Sequence, residues 1–324
     1  MRAPLRIIST AINVAGTGRP AVVCEPGMGA SSAGWSRLRD GIAAVTRVVT
    51  YDRRGLGASP AGPGSGGVAA LAADLAQVIG CAGGPAVVVG HSLGATIARH
   101  LAATRPDLVA GLVLIDPIPD RWVLRHAWWA EPFAQAGYLA MESLARLRLI
   151  DVAMALPLLR GVTRSSTSPL AALTDAERAV LAEEMRRPVS HRTARREFGG
   201  LLHSRAELRA LTAHPEITVP LTVISGERTH PLAARLRRIA TAWHAHLVDA
   251  SPNARHLIVD DGGHCIPRYQ PDLVVAATSE LLARSVGPWA HARRPGPIGD
   301  REVHAAHHVP QEWHGGADAG VGGA

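Results

Sequence analysis

Gly90-His91-Ser92-Leu93-Gly94 directly follows the β-rich run Val87-Val88-Val89 and opens a helix-like stretch through Ala95, Ile97 and Ala98. A serine on a sharp turn between strand and helix takes a strained backbone conformation, and small residues two positions to either side let the chains pass without collision. Its hydroxyl then stands clear of the sheet at the positive end of a helix. Such a hydroxyl becomes a nucleophile when a base takes its proton. His264, in Gly262-Gly263-His264, follows the last predicted strand far downstream of Ser92, in the chain order serine, acid, histidine. The chemistry implied is attack of Ser92 on a carbonyl with His264 as general base. The plainer readings are an ordinary Gly/Ser turn and a loop histidine without a role.

These side chains can meet only if strands end at a common edge, and the hydrophobic pattern predicts such strands. β-rich runs at Leu5 to Ile8 and Ala21 to Cys24 precede a Gly-rich turn and a helix around Trp35 to Ala44. Regular alternation follows: strand Val48 to Tyr51, helix Val68 to Ile79, strand Ala86 to Val89, helix Leu93 to Ala103, strand Leu112 to Ile115. From Pro117 to about Glu216 the pattern is helical and rich in Leu, Ala and Arg. Alternation then resumes with strand Leu221 to Ile224, helix Ala233 to His246, strand His256 to Val259 and helix Asp272 to Ala283. Continuous apolar strands alternating with helices predict an α/β fold with a mostly parallel sheet covered on both faces. The expected division is a core of residues 1–116 and 217–286, a helical insertion at 117–216, and a disordered tail at 287–324.

Tyr51-Asp52-Arg53-Arg54-Gly55-Leu56-Gly57-Ala58-Ser59, Gly90 to Gly94, Gly111 to Pro117 and Gly262 to His264 are spaced as in the α/β-hydrolase superfamily, which the chain resembles from about Ala21 to Ala283. The resemblance implies that Glu25-Pro26-Gly27-Met28-Gly29 is the loop after the third strand, with Pro26 where a histidine is frequent. It also implies that the backbone N–H groups of Met28 and Leu93 form the oxyanion hole. The commonest pattern has its third catalytic residue as an Asp in Gly-x-x-Asp after the seventh strand; here Gly226-Glu227-Arg228-Thr229 puts threonine there. Two acids remain. Asp116, at the end of a rigid strand, matches branches that carry the acid after the sixth strand and is preferred; Glu227, displaced by two residues, is the alternative, and Asp116 could instead cap the turn into the insertion. Asp52 is read as fixing a tight turn, and Asp260 and Asp261 as loop carboxylates.

The insertion resembles a cap domain. Trp122, Trp128, Trp129, Phe133 and Tyr138 are expected either to line an apolar pocket or to pack the cap onto the core. The resemblance therefore implies a serine hydrolase of carboxylic esters or related carbonyl compounds, with an apolar small-molecule substrate. The Ser nucleophile argues against dehalogenase and epoxide-hydrolase chemistry, which uses Asp at that turn. Alternatives are carbon–carbon bond, lactone or amide hydrolysis, or a non-catalytic ligand-binding protein of the same fold, which the missing Asp at Thr229 motivates.

Bulk properties narrow the partners. The 324 residues carry a formal charge of +7, but all the basic residues are Arg, spread along the chain and interrupted by acids, so nucleic-acid binding is not expected. Cys24, Cys81 and Cys265 make neither a disulfide framework nor a zinc site. The tail histidines, His291, His304, His307, His308 and His314, lack an acid or cysteine cluster to fix a metal geometry. No metal or cofactor is required by the proposed chemistry. No apolar run reaches bilayer-spanning length and residues 1–16 do not read as a signal peptide, so a cytoplasmic protein is expected. Cys265 beside His264 predicts sensitivity to bulky thiol reagents.

Overall fold

The computed structural model describes residues 10–62, 67–155, 174–229 and 233–289, with the side chains of residues 126–130, 154 and 286–289 outside that description. Seven strands, β1 (Ile12–Ala15), β2 (Ala21–Glu25), β3 (Val48–Tyr51), β4 (Ala86–His91), β5 (Val109–Ile115), β6 (Leu221–Gly226) and β7 (Ala254–Val259), form one sheet in the order β1-β3-β2-β4-β5-β6-β7. All neighbours are parallel except β1, which runs antiparallel to β3. The run at Leu5 to Ile8 lies outside the described residues. The edge strand β1 was not expected, because four residues with two exposed carry too little periodicity.

The central strands show why a continuous apolar run makes a parallel sheet. Side chains alternate between faces: Val23, Val88, Leu112 and Leu114 enter one buried cluster, while Val22, Cys24, Val87, Val89, Val113 and Ile115 enter the other. On the first face the sheet is covered by helices α2 (Val68–Ala82) and α3 (Leu93–Thr104), through Leu71, Leu75, Ile97 and Leu101. On the second it is covered by α1 (Ser36–Ala43) and the C-terminal helix Pro271–Trp289, through Leu38, Ile42, Val274 and Leu281. That last helix runs on to Trp289, so residues 287–289, expected to belong to a disordered tail, are helical; residues 290–324 lie outside the described set.

Between β5 and β6 the described residues are helical: α4 (Asp120–Arg146), α5 (Ile150–Ala155), α6 (Asp175–Arg186), α7 (Pro188–His203) and α8 (Arg205–Ala213). Thr174 starts α6 with a capping box, its side chain accepting from the Glu177 N–H while Glu177 reaches back to the Thr174 N–H. The helix Ala234–Asp249 (α9) then follows β6, and the short helix Ile266–Tyr269 (α10) precedes the helix at Pro271–Trp289 (α11). β2 pairs with β3 on one side and β4 on the other, so the chain leaves β2 in one direction and returns on the opposite side. The C-terminal ends of β2 and β4 therefore flank the crevice where open α/β sheets bind ligands.

One buried ion pair ties the helical insertion to the core. Arg99 of α3 donates to Asp120 at the start of α4 at 2.9 Å, and its guanidinium lies 5.0 Å from the Trp243 ring centroid. Both ends are desolvated, so breaking the pair leaves a charge without a counter-ion. Asp120→Asn should lower the unfolding free energy by about 3 kcal/mol in urea titrations. A loss below about 1 kcal/mol would show that the pair does not anchor α4.

Candidate active site

The turn after β4 is where packing dictates residue type. Ser92 sits at φ 54°, and α3 begins at the next residue. A Cβ on Gly94 would stand 2.2 Å from the Glu25 carbonyl oxygen, and one on Gly90 would stand 2.7 Å from the Gly94 oxygen, so both positions exclude a side chain. The loop after β2 thereby packs directly against the Ser92 turn. Ser92 N–H donates to Ile115 O at 3.0 Å, which holds the turn beside the end of β5.

The structure brings Ser92, His264 and Asp116 into one chain of contacts. Ser92 Oγ lies 3.1 Å from His264 Nε2, and His264 Nδ1 is hydrogen-bonded to Asp116 Oδ2. A carboxylate accepts, so Nδ1 carries the proton and the Nε2 lone pair faces the hydroxyl. Glu227 does not join them; its carboxylate accepts from Thr241 Oγ1 at 2.7 Å. Asp52 accepts from the N–H groups of Ser32 and Ala58, at 2.7 and 2.8 Å, and so holds a turn. Asp260 and Asp261 are exposed.

Several residues that sequence reasoning missed hold this arrangement. His91 Nε2–H donates to the His264 carbonyl at 2.8 Å, fixing the loop that carries the imidazole. Burial, with the charge of His264, lowers the His91 pKa to about 3 and keeps it neutral. α9 supplies two supports for Asp116. Arg237 donates to Asp116 Oδ1 at 2.5 Å. His244 Nε2–H donates to Pro117 O at 2.8 Å, leaving its Nδ1 to accept from Ser225 Oγ at 2.7 Å; Ser225 Oγ in turn accepts from His256 Nε2 at 2.7 Å. Asp116 itself takes φ 44°. Burial acts to raise its pKa, but His264 and Arg237 outweigh burial and bring it down to about 2. The spacing of Arg237 and His244, two turns apart on one helix, was the available signal, but nothing in the sequence shows which face of that helix meets β5.

The loop bearing Met28 is held from behind by a buried guanidinium. Arg53 donates to the carbonyls of Pro26 and Gly27 at 2.7 and 2.6 Å, to Glu25 at 2.7 Å and to Glu197 of α7 at 2.7 Å. Glu197 also accepts from the Gly29 N–H at 2.8 Å. Among the described residues the N–H groups of Met28 and Leu93 have no protein acceptor. Met28 lines a cavity of about 320 Å³ together with Ser92 and His264, a size fitting a small organic group, and Leu93 follows Ser92 directly in the chain.

The cavity is apolar at Met28, Trp35 and Pro267, and Glu184 and Arg268 also line it. The aromatic residues of the insertion divide. Tyr138 donates to Met28 Sδ at 3.4 Å and Trp122 packs on the core, whereas Phe133 is 78% exposed. The side chains of Trp128 and Trp129 lie outside the described residues. Burial pushes the Cys265 thiol pKa up, which disfavours the reactive thiolate and weakens the expectation of thiol-reagent sensitivity. Among the described residues no group of three or more His, Cys, Asp or Glu side chains gathers as a metal site, and no helix is long and apolar enough to cross a membrane.

The support behind Asp116 has a pH signature. Burial lowers the His244 pKa to about 4 against the field of Asp116, with His256 and Arg237 acting in the same direction as burial. The unfolded chain then binds more protons than the folded one between its ordinary value near 6.5 and about 4. Stability from this group is complete above that window and is lost as pH falls through it, on the order of 3 kcal/mol at most. His244→Gln should lower stability at pH 7 and flatten its fall towards pH 4 in denaturant titrations; an unchanged slope would reject the assignment.

Residues 20–267 match the family model for the alpha/beta hydrolase fold. The chain is 35% identical over 134 residues to RutD of Variovorax paradoxus, named as a carbamate hydrolase, covering 40% of this chain and 45% of RutD. It is 46% identical over 86 residues to the lipase LipV of Mycobacterium tuberculosis, covering 26% of this chain and 31% of LipV. The matched segments thus span less than half of either relative. A solved esterase from Thermogutta terrifontis superposes with a TM-score of 0.60 at 22% identity, over 85% of this chain and 93% of the esterase, a likeness of fold. With the family model covering most of its length and the sheet order and strand-to-helix turn described above, the chain belongs to the alpha/beta hydrolase fold family.

Proposed function

We propose that this protein hydrolyses a carboxylic ester, or a carbonyl substrate of the same kind, through an acyl-enzyme on Ser92. The observation that carries this reading is the contact of Ser92 Oγ with His264 Nε2 at 3.1 Å, with the opposite ring nitrogen held by Asp116. His264 takes the Ser92 proton as Oγ attacks the carbonyl carbon, and returns it to the leaving alcohol as the carbon–oxygen bond breaks. Water then attacks the acyl group, giving its proton to His264, which passes it to Ser92 Oγ as the acyl–oxygen bond breaks and the acid leaves. Asp116 stays ionised and balances the imidazolium that forms in each step. The Met28 and Leu93 N–H groups receive the oxyanion, and the helices of residues 117–216 serve as a cap that supplies Glu184 to the cavity wall.

Carbamate cleavage is the second reading, favoured by the likeness to RutD; it presents a carbonyl to the same nucleophile. Hydrolysis of short-chain and medium-chain p-nitrophenyl esters, with fluorophosphonate labelling, tests the proposal. Ser92→Ala should abolish labelling and lower the turnover rate by a factor on the order of 10⁴ or more. Wild-type protein that neither turns over esters or carbamates nor takes the label would make a non-catalytic binding role the better account. Asp116→Asn should lower the turnover rate by a factor on the order of 10³ to 10⁴, while Glu227→Gln should change it less than about threefold. Equal, small effects of both would remove Asp116 from the mechanism.

A further inference from the structure

Arg268 lies on α10 four residues after His264 and lines the same cavity as Ser92. Arg53, Arg99 and Arg237 each pair with a buried carboxylate. Arg268 does not: among the described residues its side chain makes neither a hydrogen bond nor an ion pair. It acts only through space, on Glu184, His91 and Cys265. Glu184, on the same wall, is engaged instead by the Ser31 hydroxyl, which itself accepts from the Ala33 N–H.

The placement of the guanidinium is built in. A Cβ on Gly34 would stand 3.3 Å from both Arg268 Nε and Nη2, so the side chain lies close over a backbone that carries no side chain. Arg268 and Glu184 also line a second cavity of about 190 Å³, whose other walls include Ala33, Val180 and Leu181. The charge therefore stands where the cavity beside Ser92 meets a mainly apolar extension under α6, whose wall also carries Ser36 and Glu177. A planar guanidinium with free donors in a partly enclosed site matches a carboxylate in geometry and charge.

We infer that Arg268 is an anion subsite, and that the preferred substrates are esters bearing a carboxylate, its distance from the scissile carbonyl set by the reach from Ser92 to Arg268. The inference rests on the hydrolase reading for the position of the carbonyl, but binding of the anion does not require turnover. It refines the expectation of an apolar substrate: the apolar walls take the linking chain and Arg268 takes its charged end.

The test compares kcat/KM for monomethyl esters of succinate, glutarate and adipate, which carry the carboxylate on the acyl side, with the corresponding dimethyl esters. A second arm compares O-butyryl glycolate, with the carboxylate on the alcohol side, with its methyl ester. In at least one arm the anionic ester should exceed its neutral counterpart by about tenfold or more. That ratio should fall at least about tenfold in Arg268→Gln and recover in part in Arg268→Lys, which keeps the charge and loses the fork. A wild-type preference for neutral esters in both arms, or a ratio unchanged in Arg268→Gln protein that melts as wild type does, overturns the inference. Turnover of no ester at all would sink the ester reading alone. The subsite is then decided by calorimetry with glutarate: binding weakened about tenfold by Arg268→Gln supports it, and no binding, or equal binding, overturns it.

Discussion

The buried guanidinium of Arg53 is the point on which the site's geometry rests. It follows β3, yet it binds the carbonyls of the loop after β2, the carboxylate at the end of β2 and a carboxylate of α7, so three separate parts of the chain meet on one charge. Away from water, such a charge is tolerable only when several acceptors surround it. Two carboxylates are more than one cation balances, and the chemistry registers this. Burial raises the Glu25 pKa to about 7 against the pull of Arg53 and of the Tyr51 hydroxyl. A cluster of this kind adds little net stability, because desolvation offsets most of the attraction, but it permits only one arrangement of its members. That arrangement is the one in which Met28 lines the Ser92 cavity while Gly29 is tied to the insertion through Glu197.

Strain collects at the same place. Ser92 and Asp116 both hold positive φ without being glycine, at about 54° and 44°, and residues in that region cost about 1–3 kcal/mol each. Each is held by groups outside its own turn: Ser92 by the close contact of Gly94 with the β2 loop, Asp116 by Arg237, the His244 chain and the Ile224 carbonyl. The two strained residues lie at the ends of neighbouring strands, β4 and β5. Because a parallel sheet aligns its strand ends, one rigid edge sets the separation between the Ser92 hydroxyl and the carboxylate bonded to His264.

Arg237 gives this edge an unusual electrostatic balance. Asp116 is shared between an imidazole and a permanent cation, so its charge is secure far below neutrality. Held at Nδ1 by this carboxylate, the His264 ring keeps one orientation, with Nε2 towards the Ser92 hydroxyl.

The sequence by itself determined the alternation of strands and helices, the turn at Gly90 to Gly94 and the resemblance that follows from them, because these depend on local periodicity and on residues a few positions apart. It also narrowed the acid to Asp116 or Glu227. Only the tertiary structure placed Asp116 against His264, since that depends on which strand ends lie side by side across more than a hundred residues. The supports behind the site, Arg53 with Glu197, Arg237, and the chain from His244 to His256, were not legible for the same reason. A charged residue in a helical pattern reads as solvated surface until packing shows that it is buried and paired, and no local pattern encodes the partner. Phe133 makes the converse point: an aromatic residue in an apolar stretch reads as pocket lining or packing, and the face of α4 it occupies leaves it in water.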